Sequence, residues 1–288
     1  MGNHLTLMNN DMKMFRFRLK PNGSFQTRWS SDTLTGALFW AYYRREGEEA
    51  LTKLLQEYRF GNPSFVLSSG FPGSLLPKPF LPPLRKDEKT TLAQLRLYKK
   101  IKKIEWVTLD DFNRWLMGEQ VMHQDLEQPL LTEIVMHNEV NRITGTTGDN
   151  HSLFAAEEIY LNDKYEFITI YAFVKKDWQS RLKALFEDLG RGGIGGRSST
   201  GKGTFFVAAC EEFEFNVAER FNGYILLGNA VPKASDPFQG YFKIDVKRGR
   251  LGEEKAKSGS PFKKPLLMLK PGSVFYEDSD LKWIGRLV

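Results

Sequence analysis

A chain of 288 residues, 41% hydrophobic and 13% aromatic, has apolar material for one large domain or two ordinary ones, which excludes wholesale disorder. Its net charge of +6 and pI near 9.2 suit a polyanionic partner without demanding one. The single cysteine, Cys210, excludes an internal disulfide framework and argues against a cysteine-based zinc site, so a reducing, cytoplasmic setting is expected. With no apolar run of membrane-spanning length, no membrane partner is expected either.

In Met14 to Lys20, Phe15, Phe17 and Leu19 alternate with Arg16, Arg18 and Lys20, which predicts a half-buried strand with one basic face. Ser31-Asp32 reads as the cap of a helix carrying Leu34, Ala37, Leu38, Ala41 and Tyr42 on one stripe. That helix is expected to stop at Gly47 or restart after it. Pro63 to Ser69 predicts a short strand. The proline-rich run from Gly70 to Pro83 predicts an ordered surface loop or polyproline segment, because such dense prolines cannot join a central ladder.

Residues 84 to 122 look helical and insertional. Within them Lys99 to Lys103 reads as a solvated basic helix face, and Thr108 to Asp111 resembles a capping box. Segments around Thr132 to Met136 and Phe154 to Leu161 look β-like, and Tyr165 to Val174 is the clearest strand of the middle third. The polar stretch from His137 to Gly148 suits the tip of an extended hairpin. Asp177 is expected to cap a helix with Trp178, Leu182, Leu185, Phe186 and Leu189 on one face, ended by Gly190.

A glycine-rich run follows, GRGGIGGRSSTGKGTF, from Gly190 to Phe205. Part of it nearly spells a nucleotide-binding P-loop, but a P-loop needs a strand before it, a helix after it and a Ser or Thr after its lysine. Here a helix precedes, a strand is predicted from Thr204 to Cys210, and Gly203 follows Lys202. What remains is a loop whose amides can form a concave nest for phosphate oxygens, with Arg191, Arg197 and Lys202 adding charge and Ser198, Ser199 and Thr200 adding hydroxyls.

The order strand, helix, strand, insertion, strands, helix, glycine loop, strand over residues 13 to 215 predicts an α+β, ferredoxin-like βαββαβ core with a large insertion. Residues 216 to 288 predict a β-rich C-terminal lobe, with a degraded second ferredoxin-like half as one form it can take. Strands are expected at Tyr224 to Leu227, Gly240 to Lys247, Pro265 to Leu269 and Ser273 to Tyr276. A turn is expected at Lys270 to Ser273, and a loop at Arg248 to Lys264.

Placed between a helix and the last strand of such a unit, GRGGIGGRSSTGKGTF resembles the signature loop of the RAMP superfamily of CRISPR RNA-binding proteins. Ser31 to Leu34, the run from Phe65 through Phe71-Pro72 to Pro79, and Asn141 to Gly145 resemble one subunit of type III-A (Csm) effector complexes, the one capping the crRNA at its 5′ end. The resemblance spans about residues 13 to 210. It implies a non-catalytic subunit in antiviral defence that binds the repeat-derived 5′ handle without a cofactor or metal. Its partners would be the large polymerase-palm-like subunit and the backbone RAMP subunit, with target RNA met indirectly.

Carried over by position, Arg191, Gly192, Gly193, Gly195, Gly196, Arg197, Ser198, Ser199, Gly201, Lys202 and Gly203 would cradle handle phosphates. Ser31 and Asp32 would lie near the same cleft, His137, Asn141 and Arg142 would face the RNA from an insertion, and Lys78 would approach it. Of the insertions, 137 to 150 is preferred over 84 to 122 as a thumb-like projection. Phe71, His137 and Tyr160 offer stacking faces, although packing roles are favoured for Phe71 and Tyr160.

Two readings compete. A transcript-processing endoribonuclease would need an acid and base drawn from His4, His123, His137 and His151, of which His137 and His151 flank the polar segment. A scaffold without nucleic acid would make the basic bias incidental. Asp110-Asp111 and Glu157-Glu158 read as helix capping and surface charge rather than a metal clamp.

Overall fold

The computed structural model describes residues 12–80, 91–117, 119, 126–138, 140, 143–147, 153–249, 262–277 and 281–288. In chain order the elements are β1 (Met12–Pro21), α1 (Ser31–Arg59), β2 (Phe65–Leu67), β3 (Phe71–Pro72), β4 (Leu76–Pro77), α2 (Leu92–Lys103), β5 (Trp106–Val107) and α3 (Leu109–Leu116). A long pair follows, β6 (Leu130–Asn138) and β7 (Leu153–Leu161), then β8 (Ile168–Lys175), α4 (Gln179–Gly192) and β9 (Phe205–Glu212). Short strands complete the chain: β10 (Gly223–Ile225), β11 (Gly240–Tyr241), β12 (Ile244–Lys247), β13 (Leu266–Leu269) and β14 (Val274–Tyr276). No helix of the described residues is long and apolar enough to cross a membrane.

The architecture is α+β with antiparallel sheets. The principal sheet has the order β2-β8-β1-β9, every neighbour antiparallel, with β3 continuing the β2 edge of β8. Helix α1 joins β1 to β2, and α4 joins β8 to β9, so each helix links two parallel strands separated by one antiparallel strand. The alternation in β1 does what it predicts. Phe15, Phe17 and Leu19 are at most 2% exposed and pack with Leu34 and Leu38 of α1 and Leu182, Leu185 and Phe186 of α4. Phe17 and Phe186 lie 4.8 Å apart, ring centre to ring centre.

The opposite face of the sheet is covered too. Arg16 and Arg18 lay their guanidinium groups over Phe213 (4.7 Å) and Phe167 (5.0 Å), and Phe71, Leu76, Val107, Phe112 and Tyr171 form a second cluster. Long cationic side chains thus serve as both charge and covering hydrocarbon.

Helix α1 runs through Gly47, whose φ of 85° breaks the helical path without ending the helix, the restart that its sequence allows. Its cap differs from the expectation. Ser30, not Ser31, is the N-cap residue, and Ser31 is the first helical residue, buried and bonded elsewhere. Thr108 does cap α3, its hydroxyl accepting from the Asp111 amide at 3.1 Å.

Three further expectations change. The proline-rich run is largely buried from Phe71 to Pro77, with Phe71-Pro72 on a sheet edge and Leu76-Pro77 paired with β5. Edge positions tolerate a residue without an N–H, and the apolar residues between the prolines belong to the second cluster. Helix α4 passes Gly190 and ends at Gly192, because Gly193 supplies the positive φ (78°). Gly190 is required for another reason: a Cβ there would stand 2.3 Å from the Phe205 carbonyl oxygen.

In the C-terminal third, the turn at Lys270 to Ser273 forms, but the strands beside it do not pair with each other. β13 pairs with β12, while β14 lies between β10 and β11. Most of the expected loop at 248 to 264 lies outside the described residues.

Candidate nucleic-acid interface

The glycine-rich turn between α4 and β9 closes on itself. The Ile194 amide donates to the Gly203 carbonyl (3.0 Å), the Gly203 amide donates to the Ser24 carbonyl (3.0 Å), and Ile194 is buried. A Cβ at Gly203 would sit 2.2 Å from the Ile194 oxygen, and one at Gly193 would sit 2.5 Å from the Lys202 oxygen. Gly195 and Gly196 press against Thr27 and Gln26 of the β1–α1 connection. Gly193, Gly195 and Gly203 are therefore needed for the turn's own packing, whereas at Gly196 only the movable end of Gln26 stands in the way. At Gly192 and Gly201 a Cβ would enter open space, and the Gly201 amide is taken by the Ser198 carbonyl (2.9 Å).

Arg197 sits between these groups with φ 58°, the one residue other than glycine in the left-handed region among those described. That conformation costs an arginine about 1 kcal/mol. Ser198–Thr200 then form a single 3₁₀ turn, closed by Gly201. Ser199, Thr200 and Arg191 are exposed, and Arg191 pairs with Asp188 one turn back along α4.

The turn meets the β6–β7 hairpin through a buried carboxylate. Glu158 of β7 is fully buried, and its Oε2 accepts from Ser24 Oγ (2.6 Å), Lys202 Nζ (2.8 Å) and Tyr160 OH (2.9 Å). Its Oε1 lies 3.0 Å from His137 Nε2. Burial by itself pushes this carboxyl up, but the hydrogen bonds from Lys202, Ser24 and Tyr160 and the lysine charge hold it down at about 2. Beside it, Arg197 lies 4.4 Å over the Phe154 ring, which stacks with His137 at 5.5 Å and 18°. Paired amide bonds between Phe25 and Ile159 fix the hairpin to the β1–α1 connection.

The other expected site residues lie elsewhere. Ser31 donates to the Asn229 carbonyl (3.2 Å) and accepts from the Asn229 amide (2.7 Å), and Asp32 pairs with Lys247, whose ammonium also reaches Ser30 and Thr33. The start of α1 is therefore joined to the C-terminal third. Lys78 turns its amine onto the Ile101 carbonyl, and burial, then neighbouring Lys243, lowers its pKa. Asn141 and Arg142 lie outside the described residues. The structure thus brings His137 to Arg197 and Lys202, and sets Ser31 with Asp32, and Lys78, in separate surroundings.

Glu158 is the residue that sequence reasoning missed. Glu157-Glu158 reads as surface charge, yet only Glu157 is exposed, since neighbours on a strand face opposite ways. Period-two alternation puts Phe154, Glu158 and Tyr160 on one face, and that signal was available within 153–161. Asp111, of the other acidic pair, is buried at the α3 cap. Among the described residues no three His, Cys, Asp or Glu side chains converge to hold a metal.

Residues 30–205, from the start of α1 through the glycine-rich turn, match the sequence model of the RAMP superfamily. The chain belongs to that superfamily. This RAMP protein is 26% identical over 240 residues to the CRISPR system Cms protein Csm4 of Thermococcus onnurineus (strain NA1), covering 76% of this chain and 75% of that one. Its fold resembles a chain in the crystal structure of a Csm1–Csm4 cassette in complex with pppApA, with TM-score 0.61, 20% identity and coverage of 92% and 87%. It also resembles a chain of the Csm3–Csm4 subcomplex of the type III-A CRISPR-Cas interference complex, with TM-score 0.61, 18% identity and coverage of 96% and 94%. At such identities the structural likeness is one of fold.

Proposed function

We propose that this RAMP protein is the Csm4-like, non-catalytic subunit of a type III-A CRISPR effector complex and binds the repeat-derived 5′ handle of the crRNA. Its partners on this reading are a large Csm1-like subunit and a Csm3-like backbone subunit, the companions named for its structural relatives. The strand order β2-β8-β1-β9, with α1 and α4 as its crossovers, supports a ferredoxin-like core over residues 13 to 215, with 216 to 288 as a β-rich lobe. The cytoplasm is the natural compartment for that work.

One observation carries the RNA reading: the glycine-rich turn is held from within by its own hydrogen bonds while Arg191, Ser199 and Thr200 are exposed, Arg197 is half-exposed, and no atom crowds Gly192 or Gly201. Phosphates are bound by cations and hydroxyls presented on such a preorganised turn, which set register along a strand without reading its bases. Lys202, engaged by Glu158, anchors the turn. The β6–β7 hairpin, with Ile134 and Met136 exposed, is the thumb-like projection.

Purification from cells without ribonuclease, followed by sequencing of the retained RNA, tests this. Short guides sharing one 5′ tag are expected, and RNA of random sequence would overturn it. The endoribonuclease reading retains one specific observation, the contact of His137 with Glu158 beside Lys202 and Tyr160. Specific cutting of repeat RNA in metal-free buffer would favour that reading instead.

A further inference from the structure

Helix α2 carries Arg96, Lys99, Lys100, Lys102 and Lys103, all exposed, and none has an ion pair among the described residues. Arg96, Lys99, Lys100 and Lys103 follow the spacing i, i+3, i+4, i+7, so they share one face over about 10 Å of helix. Cations in a last turn complement the helix dipole. That role is already filled here, because Lys78 donates to the Ile101 carbonyl from outside the helix. Among the described residues no carboxylate pairs with the remaining cations, and Lys243, close enough to lower the Lys78 pKa after burial, adds to the same field.

Exposed residues lead from α2 toward the glycine-rich turn. Thr27 touches Gly195, the next residue, Arg28, lies 3.8 Å from Glu105 just beyond the end of α2, and both of those side chains are well exposed. We propose that the exposed face of α2 is a second contact for RNA backbone, reached by a strand that leaves the glycine-rich turn along Thr27 and Arg28. The inference rests on the RNA reading above and extends it to a longer ligand. A bilayer partner fits less well: a helix lying in a membrane turns its apolar face outward. Here Leu95 and Ile101 are half-buried, and Ile104 packs on the second core cluster.

The test uses the purified full chain and two single-stranded RNAs, of about 6 and about 24 nucleotides, spanning one compact site and several. Lys99→Ala, Lys100→Ala and Lys103→Ala combined should lower the salt slope for the long RNA by about two, from roughly 0.7 per lost phosphate contact, and leave the short RNA unchanged. An unchanged slope for the long RNA overturns the proposal. Loss of binding to phosphatidylserine-containing vesicles, without change on the long RNA, also overturns it, in favour of a membrane surface. Arg197→Ala is the control for the reading beneath. Lost affinity for both RNAs supports it, whereas an effect on neither would sink the glycine-turn reading and leave α2 as an independent RNA site.

Discussion

Lys202 Nζ stands 2.8 Å from Glu158 Oε2, joining the glycine-rich turn to the hairpin through a carboxylate with no exposure to solvent. A buried ion pair costs desolvation, and its removal from one side costs more, because the remaining partners lose a charge arranged for them. Glu158→Ala should therefore destabilise the protein by roughly 3 kcal/mol in urea unfolding.

Glu158 also makes stability depend on acid. Its folded pKa of about 2 lies below the ordinary 4.5, so its contribution is complete above about 4.5 and is lost as the pH falls toward 2. Glu158→Gln has no such titration. The stability gap between wild type and Glu158→Gln should shrink over that window in unfolding curves taken at successive pH values, and a constant gap would contradict the assigned shift.

At Arg197 two local effects oppose each other. Arg197→Gly relieves the left-handed strain, about 1 kcal/mol, and loses the contact with Phe154, worth about 0.5–1 kcal/mol at a partly exposed site. Thermal stability should stay almost constant while the salt slope of RNA binding falls by about 0.7. Lys202→Met should instead weaken binding with the slope unchanged, since Lys202 serves the turn rather than a phosphate.

The glycines divide into two groups. Gly203→Ala meets the Ile194 oxygen at a φ of 71° and should cost at least roughly 2 kcal/mol in stability. Gly192→Ala enters open space in helical backbone and should raise helix stability by up to about 1 kcal/mol. Any loss of RNA binding in Gly192→Ala then reports blocked access to the backbone rather than unfolding.

Ser31 tests the joint with the C-terminal third. Ser31→Ala removes both bonds to Asn229 in a buried setting and should cost about 1–2 kcal/mol, measured as a shift in the urea midpoint. Wild-type stability in this variant would show that the joint contributes nothing.

Where local rules decide the structure, the sequence was readable. The apolar and basic faces of β1 and the Thr108 cap follow from periodicity and capping alone, and Gly47 marks the break in α1 without deciding between a stop and the restart that occurs. The surprises come from long-range partners. Nothing near Glu158 announces that Ser24, 134 positions away, and Lys202, 44 positions away, will meet its carboxylate. Ser31 resembles a cap because its type is right, yet Asn229 claims its hydroxyl. The proline-rich run misleads for the opposite reason: its prolines mark sheet edges, and burial is decided by Phe71, Leu75 and Leu76 between them. The glycines announced a special turn, but which of them serve packing and which stay open depends on contacts with Gln26, Thr27 and Phe205.

Since one carboxylate grips Lys202 with one oxygen and reaches His137 with the other, turn and arm are coupled at their junction like a lever at its pivot. On the proposed RNA reading, a strand held at Arg197 would pull on Phe154 and, through it, on His137, so tension along the RNA would steer the direction of the arm.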